Sequence, residues 1–409
     1  MRPRILILMH YMELGGAESA LLGLLQAHDP LRADIDLFIY SHRGDLMEYI
    51  PGNVNLLPEV PIYSLLEAPI ADVLKMGYGK LAIARLMARQ ETFFYSKYNV
   101  NHLDDLSGFT FQQSKTVKLL PNISPDIEYD LAFSFLTPHY IVLDKVRAKK
   151  KIGWIHTDYS NVFINKEMEY LMWSRLDYIA SISEEVSKKF CSIFPLLKAK
   201  IVLIENILSV DFIRKRSEEF ESSELQPRNN EVHLLSIGRY SYPKRFDEIG
   251  SICRMVIDNL RRQGSSIIVK WFVIGYGSQE EENKMLENIE KENVVDNVVI
   301  MGKKSNPYPY IRACDIYVQP SRYEGKSITV REAQILCKPV LVSNYPTASS
   351  QVINGIDGVI ASRDSIEFAH DLACFILDKK LQNDVSSYLQ CHNYGNESEI
   401  EKIYNLVSE

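Results

Sequence analysis

Residues 323–339 read Y-E-G-K-S-I-T-V-R-E-A-Q-I-L-C-K-P and follow an apolar run, Asp315-Ile316-Tyr317-Val318. Such a run forms a strand buried on both faces. Pro320 and Ser321 end the strand, and Gly325 supplies a tight turn. Ser327 is placed to cap a helix from Ile328 to about Cys337, stopped by Lys338-Pro339. Strand, glycine turn and helix start together favour an anion at Lys326, Ser327 and Ile328, where first-turn N–H groups lack intrahelical partners. Two acids frame that position. Glu324 sits in the turn, and Glu332 lies one turn into the helix, its carboxylate leaning back toward the loop. Carboxylates beside a phosphate repel it unless they accept hydrogen bonds from neutral hydroxyls of the same ligand. A phosphate-linked polyol with hydroxyls at both ends meets that demand, and a nucleotide-sugar is one.

Working outward, strands alternate with helices in both halves of the chain. Apolar runs at 5–9, 34–41, 54–57, 130–135, 152–156, 176–182 and 201–204 build one parallel set. Runs at 233–237, 267–274, 298–301, 315–318, 340–342 and 359–361 build another. Two doubly wound, Rossmann-like parallel sheets follow, an α/β architecture. The expected domains are 1–206 and 231–390, joined by a polar linker at 207–230, with a last helical segment at 391–409. A length of 409 residues suits two cores rather than one. In the first half, Gly15-Gly16 follow the first strand and open a helix, as a phosphate-approach loop does. Asp34-Ile35-Asp36 matches D-x-D superficially, but no further ligands are near, so both acids are expected to be solvated and no metal site is expected.

A net charge of −7 argues against nucleic acid as the partner. Six scattered cysteines without a C-x-x-C pair fit reduced thiols in the cytoplasm. The first ten residues read as a strand rather than a signal peptide, and no run reaches membrane-spanning length. Residues 72–99 interleave Lys75, Lys80, Arg85, Arg89 and Lys97 with apolar side chains, and residues 145–151 add a second basic cluster. Two readings stand side by side: a solvated helix face, or a peripheral contact with an anionic membrane surface near a lipid-linked acceptor.

A second motif, Ser236-Ile237-Gly238-Arg239-Tyr240-Ser241-Tyr242-Pro243-Lys244, ends the first strand of the second half. Gly238 permits close backbone approach, and Arg239 and Lys244 can neutralise a diphosphate, one as a fork and one as a point charge. Gly275 and Gly302-Lys303 end the next two strands.

The frame Glu324, seven residues, Glu332-Ala333, then Lys338-Pro339-Val340 resembles the signature of retaining GT-B glycosyltransferases of group 1, as in bacterial capsular and surface polysaccharide synthesis. The resemblance implies two Rossmann-like domains facing across a cleft, with the C-terminal helix crossing back to the N-terminal domain. It implies that Arg239 and Lys244 hold the donor diphosphate and that Gly15-Gly16 face the donor. Gly275 would wall the nucleoside side, and Gly302-Lys303 would lie by the base. Glu332 would accept the ribose hydroxyls, Glu324 a sugar hydroxyl, and His156 would lie near the sugar. No cofactor beyond a nucleotide-sugar co-substrate, expected to be a UDP-sugar, and no metal are implied. The acceptor would be a glycan or lipid-linked glycan, met at the inner face of the cytoplasmic membrane. Many relatives carry an aromatic residue and a proline after E-G, where this chain has Lys326-Ser327, so the sugar stays open. Two rivals remain: a GT-B nucleotide-sugar epimerase, and a non-catalytic binding partner with the same fold.

Overall fold

The structure, a computed structural model, describes residues 2–13, 15–100, 103–226 and 228–408. It divides into two compact units, Met1–Ile207 with Asn396–Glu409, and Leu208–Gly395.

The first unit is built on a seven-stranded sheet. Its strands are β1 (Arg4–Met9), β2 (Asp34–Ile39), β3 (Asn55–Leu56), β4 (Tyr129–Ser134), β5 (Ala148–Ile155), β6 (Tyr178–Ser181) and β7 (Ile201–Leu203), in the order β3-β2-β1-β4-β5-β6-β7. Every pairing is parallel. The second unit has β8 (Glu231–Ile237), β9 (Ile268–Ile274), β10 (Val298–Gly302), β11 (Ile316–Gln319), β12 (Val340–Ser343) and β13 (Val359–Ala361), in the order β10-β9-β8-β11-β12-β13, again all parallel. Both sheets reverse direction of growth beside their first strand, between β1 and β4 and between β8 and β11. In open α/β sheets that reversal leaves a crevice at the carboxyl ends of the strands. Strands such as β11, buried at every position, read as unbroken apolar runs because helices cover both faces.

The final helix, Ile400–Ser408, packs on the first unit. Tyr404 donates or accepts at His28 Nδ1 (2.9 Å) and accepts from the Asp29 N–H (2.9 Å), while Lys402 reaches the Leu203 carbonyl (3.0 Å). Ile400, Ile403, Tyr404 and Leu406 are its buried side chains.

Four sequence expectations change. The stretch expected to be a linker carries the helix Val210–Ser217 and belongs to the second unit, because Ile213 and Leu225 bury into that unit's core. Asp36 is not solvated: it is buried and accepts from Arg4 (3.1 Å), Asn55 (2.7 Å) and Tyr129 (2.8 Å). Arg85 is not a surface cation either. Its guanidinium turns inward to the carbonyls of Leu65 (2.7 Å) and Ala68 (2.6 Å). The basic cluster near residue 150 forms the start of β5, where Lys149 pairs with Asp130 (2.7 Å) and Lys150 and Lys151 bond the carbonyls of Leu406 and Leu143.

Candidate active site

At the end of β8, three glycine turns are stitched together. Gly238 N–H bonds the Ile274 carbonyl (3.0 Å), and Gly275 N–H bonds the Gly302 carbonyl (3.0 Å). A Cβ on Gly275 would come within 1.9 Å of the Gly238 carbonyl oxygen, so no side chain fits there. Gly302 has φ +65, a left-handed conformation that glycine adopts without cost. Beside it, the Lys303 ammonium stands 5.5 Å from the Tyr276 ring centre.

The Lys244 stem lies over Gly238, its Cδ and Cε each 3.3 Å from where a Cβ would be. Its ammonium reaches Glu324 Oε1 at 2.6 Å. The same oxygen accepts from Ser321 Oγ (2.6 Å) and Gln319 Nε2 (2.9 Å). Gln319 is itself aimed by the Tyr317 hydroxyl, which donates to its Oε1 (2.8 Å). Three donors thus converge on one carboxylate oxygen, and no described residue donates to Glu324 Oε2. Arg322 secures the loop that carries Lys244. It bonds Asp247 through two parallel contacts (2.7 and 2.8 Å), the Tyr242 carbonyl (2.6 Å) and, through its own N–H, the Pro243 carbonyl (2.7 Å). Arg239 is exposed on the same loop.

The helix after the turn runs Ile328–Ile335. Ser327 occupies the N-cap position, but its hydroxyl meets Thr329 Oγ1 (3.1 Å) instead of capping, and its N–H bonds Gln351 Oε1 (3.1 Å). The helix ends two residues earlier than expected because Cys337 takes a left-handed conformation (φ +57), with Lys338 N–H returning to the Ala333 carbonyl (2.9 Å). Gly325, Lys326 and Ile328 are half-buried along the turn. Glu332 faces inward. It accepts from the Tyr308 hydroxyl (2.9 Å), and burial pushes its pKa up to about 7.

The remaining expected residues lie in the first unit. Gly15 is extended, and the Glu18 carboxylate curls over it, 2.2 Å from a would-be Cβ; Gly16 opens the helix Gly16–Ala27. His156 follows β5, packed against Phe135 (ring centres 4.7 Å apart) and Trp154 (5.9 Å). Burial lowers its pKa to about 3, so it is neutral at physiological pH. His139 and His10 end up at the same strand ends. Burial also takes His139 to about 3, and His10 Nδ1 meets Glu67 Oε1 (3.1 Å).

Sequence reasoning missed Gln319, Ser321, Arg322 and Tyr308. A glutamine closing an apolar strand and a serine two residues on are readable signals. Tyr308 carries none, because its partner is 24 residues away. Among the described residues no group of three or more His, Cys, Asp or Glu could hold a metal ion.

Glycine turns, an ammonium and a carboxylate with one open oxygen thus come together at the reversal of a parallel sheet. Residues 217–390, which lie in the second unit, match the family model of the glycosyl transferases group 1. The fold is GT-B: the chain superposes on Anabaena HepE, solved with UDP and glucose, at a TM-score of 0.65 and 16% identity, with 100% of each chain covered. It is 22% identical over 276 residues to an uncharacterized 41.2 kDa protein in the cps region of Klebsiella pneumoniae, covering 66% of this chain and 67% of that one. It is 25% identical over 251 residues to the uncharacterized glycosyltransferase MJ1069 of Methanocaldococcus jannaschii, covering 55% of this chain and 59% of that one.

Proposed function

We propose that the protein is a metal-independent, retaining glycosyltransferase that moves a sugar from a UDP-sugar to a hydroxyl of a glycan or lipid-linked glycan during surface polysaccharide synthesis in the cytoplasm. The observation that carries this reading is Glu324: three donors hold one oxygen, and the other is left to accept a hydroxyl of the donor sugar. Lys244 keeps two further N–H donors for the diphosphate while it holds Glu324. Arg239 and the first turn of the helix Ile328–Ile335 add positive potential where charge grows as the diphosphate leaves. Glu332, oriented by Tyr308, serves the ribose hydroxyls. The UDP and glucose held by a neighbour of the same fold, and a relative in a cps region, favour the donor and the pathway named.

The test is a panel of nucleotide-sugars scored for release of nucleoside diphosphate, with product anomeric configuration read by NMR. Release from a UDP-sugar with retained configuration is expected. Release that persists undiminished in Lys244→Ala and Glu324→Gln would defeat the site assignment, and an inverted product would defeat the mechanism.

A further inference from the structure

We propose that the helix Gly79–Tyr95 seats the first unit on an anionic lipid surface through a solvent-facing apolar stripe. An amphipathic helix on a soluble protein buries one apolar stripe and turns charge outward. This helix buries Leu81, Ala82, Arg85 and Ala88, a stripe at three- and four-residue spacing. On the opposite side Ile83, Leu86, Met87, Phe93 and Phe94 recur at the same spacing, each 50–66% exposed. The helix is therefore apolar on both faces, and the outer face needs an occupant of its own.

Charge selects that occupant. Lys80, Arg89 and Lys97 are exposed along the same helix and just beyond it, and the Lys97 ammonium sits 5.1 and 5.2 Å from the ring centres of Phe93 and Phe94. Long cationic side chains that cover apolar neighbours while keeping their heads in water suit a headgroup layer. The acids of this stretch are committed elsewhere: Asp72 pairs with Lys75 (3.1 Å) and Glu91 with Lys115 (2.7 Å). A second copy docked on the stripe would bring like cations together, which favours the lipid. Past the helix, Tyr98 and Val100 are 74% and 77% exposed.

The inference does not rest on the transferase reading. It is tested with the full chain and vesicles of phosphatidylcholine alone or mixed with phosphatidylglycerol. Cosedimentation with the anionic vesicles is expected, weakened by salt. Phe93→Ser with Phe94→Ser should lower the partition roughly tenfold or more, because burial of two aromatic side chains is lost. Melting temperature and donor turnover should stay unchanged, since both residues are exposed and lie outside the site described above. Lys80→Glu, Arg89→Glu and Lys97→Glu together should abolish binding at low salt. Unchanged partition in the double serine variant, or equal binding to neutral vesicles, would overturn the proposal. A concentration-dependent dimer lost in the serine variant would overturn it in favour of a second copy.

Discussion

The ammonium of Lys244 stands 2.6 Å from Glu324 Oε1, although 80 residues separate the two in the chain. Neighbouring parallel strands, β8 and β11, bring their following loops side by side and so make one charged unit from two motifs. Lys244→Ala and Glu324→Gln should each lower kcat/KM by about 2–4 kcal/mol of transition-state stabilisation. The double variant should fall short of the sum by about 1 kcal/mol or more, because the residues are in contact. Arg239→Ala should cost about as much as Lys244→Ala, yet combine additively with Glu324→Gln, since Arg239 makes no contact with that carboxylate. Steady-state kinetics on the set decides, and strict additivity between Lys244 and Glu324 would refute the coupling.

Arg322, on the loop of Ser321 and Glu324, ties that loop to the one carrying Lys244. Arg322→Ala should lower kcat/KM by about tenfold by freeing the loop that carries Lys244, and Arg322→Lys should recover part of it without the paired contacts to Asp247. Unaltered kinetics in Arg322→Ala would show that the loop holds its shape unaided.

Glu332 gives a pH signature. Its folded pKa, about 7, lies above its ordinary value of 4.5, so the folded state favours the protonated form. The associated stability is fully present below about pH 4.5 and is lost as pH rises toward and through 7. The span corresponds to about 3 kcal/mol at most. Glu332→Gln should therefore flatten the fall in melting temperature of the second unit between pH 5 and pH 8. An equally steep fall in the variant would place the pH dependence on another group.

In the proposed reading Lys244 and Arg239, rather than a divalent ion, stabilise the departing diphosphate. Turnover should persist in EDTA. Abolition by chelation with recovery on adding magnesium or manganese would contradict the assignment of charge stabilisation to Lys244 and Arg239.

The apolar runs and glycine turns placed both sheets from sequence because a parallel strand covered on two faces needs apolar residues at successive positions. The loop of Glu324 and Lys244 was equally open to reading, each residue lying within a few positions of a strand end. What stayed hidden were facts settled by distant partners. Arg85 looks like any lysine or arginine on a helix until the carbonyls of Leu65 and Ala68 turn it inward. Asp36 looks solvated until Arg4, Asn55 and Tyr129 converge on it. The polar stretch after residue 207 hides a helix because the apolar side chains that anchor it, Val210, Phe212 and Ile213, are followed at once by a run of charges.

The helix Ile400–Ser408 completes the first unit from beyond the second, with the whole second unit lying between in the chain. On a ribosome the chain emerges in order, so residues 208–395 are available to fold before the first unit has received its last piece. The unit made first is thus the unit finished last. Until Tyr404 reaches His28 and Asp29, the surface around them stays uncovered, and assembly of the earlier-made half waits on synthesis of the helix Ile400–Ser408.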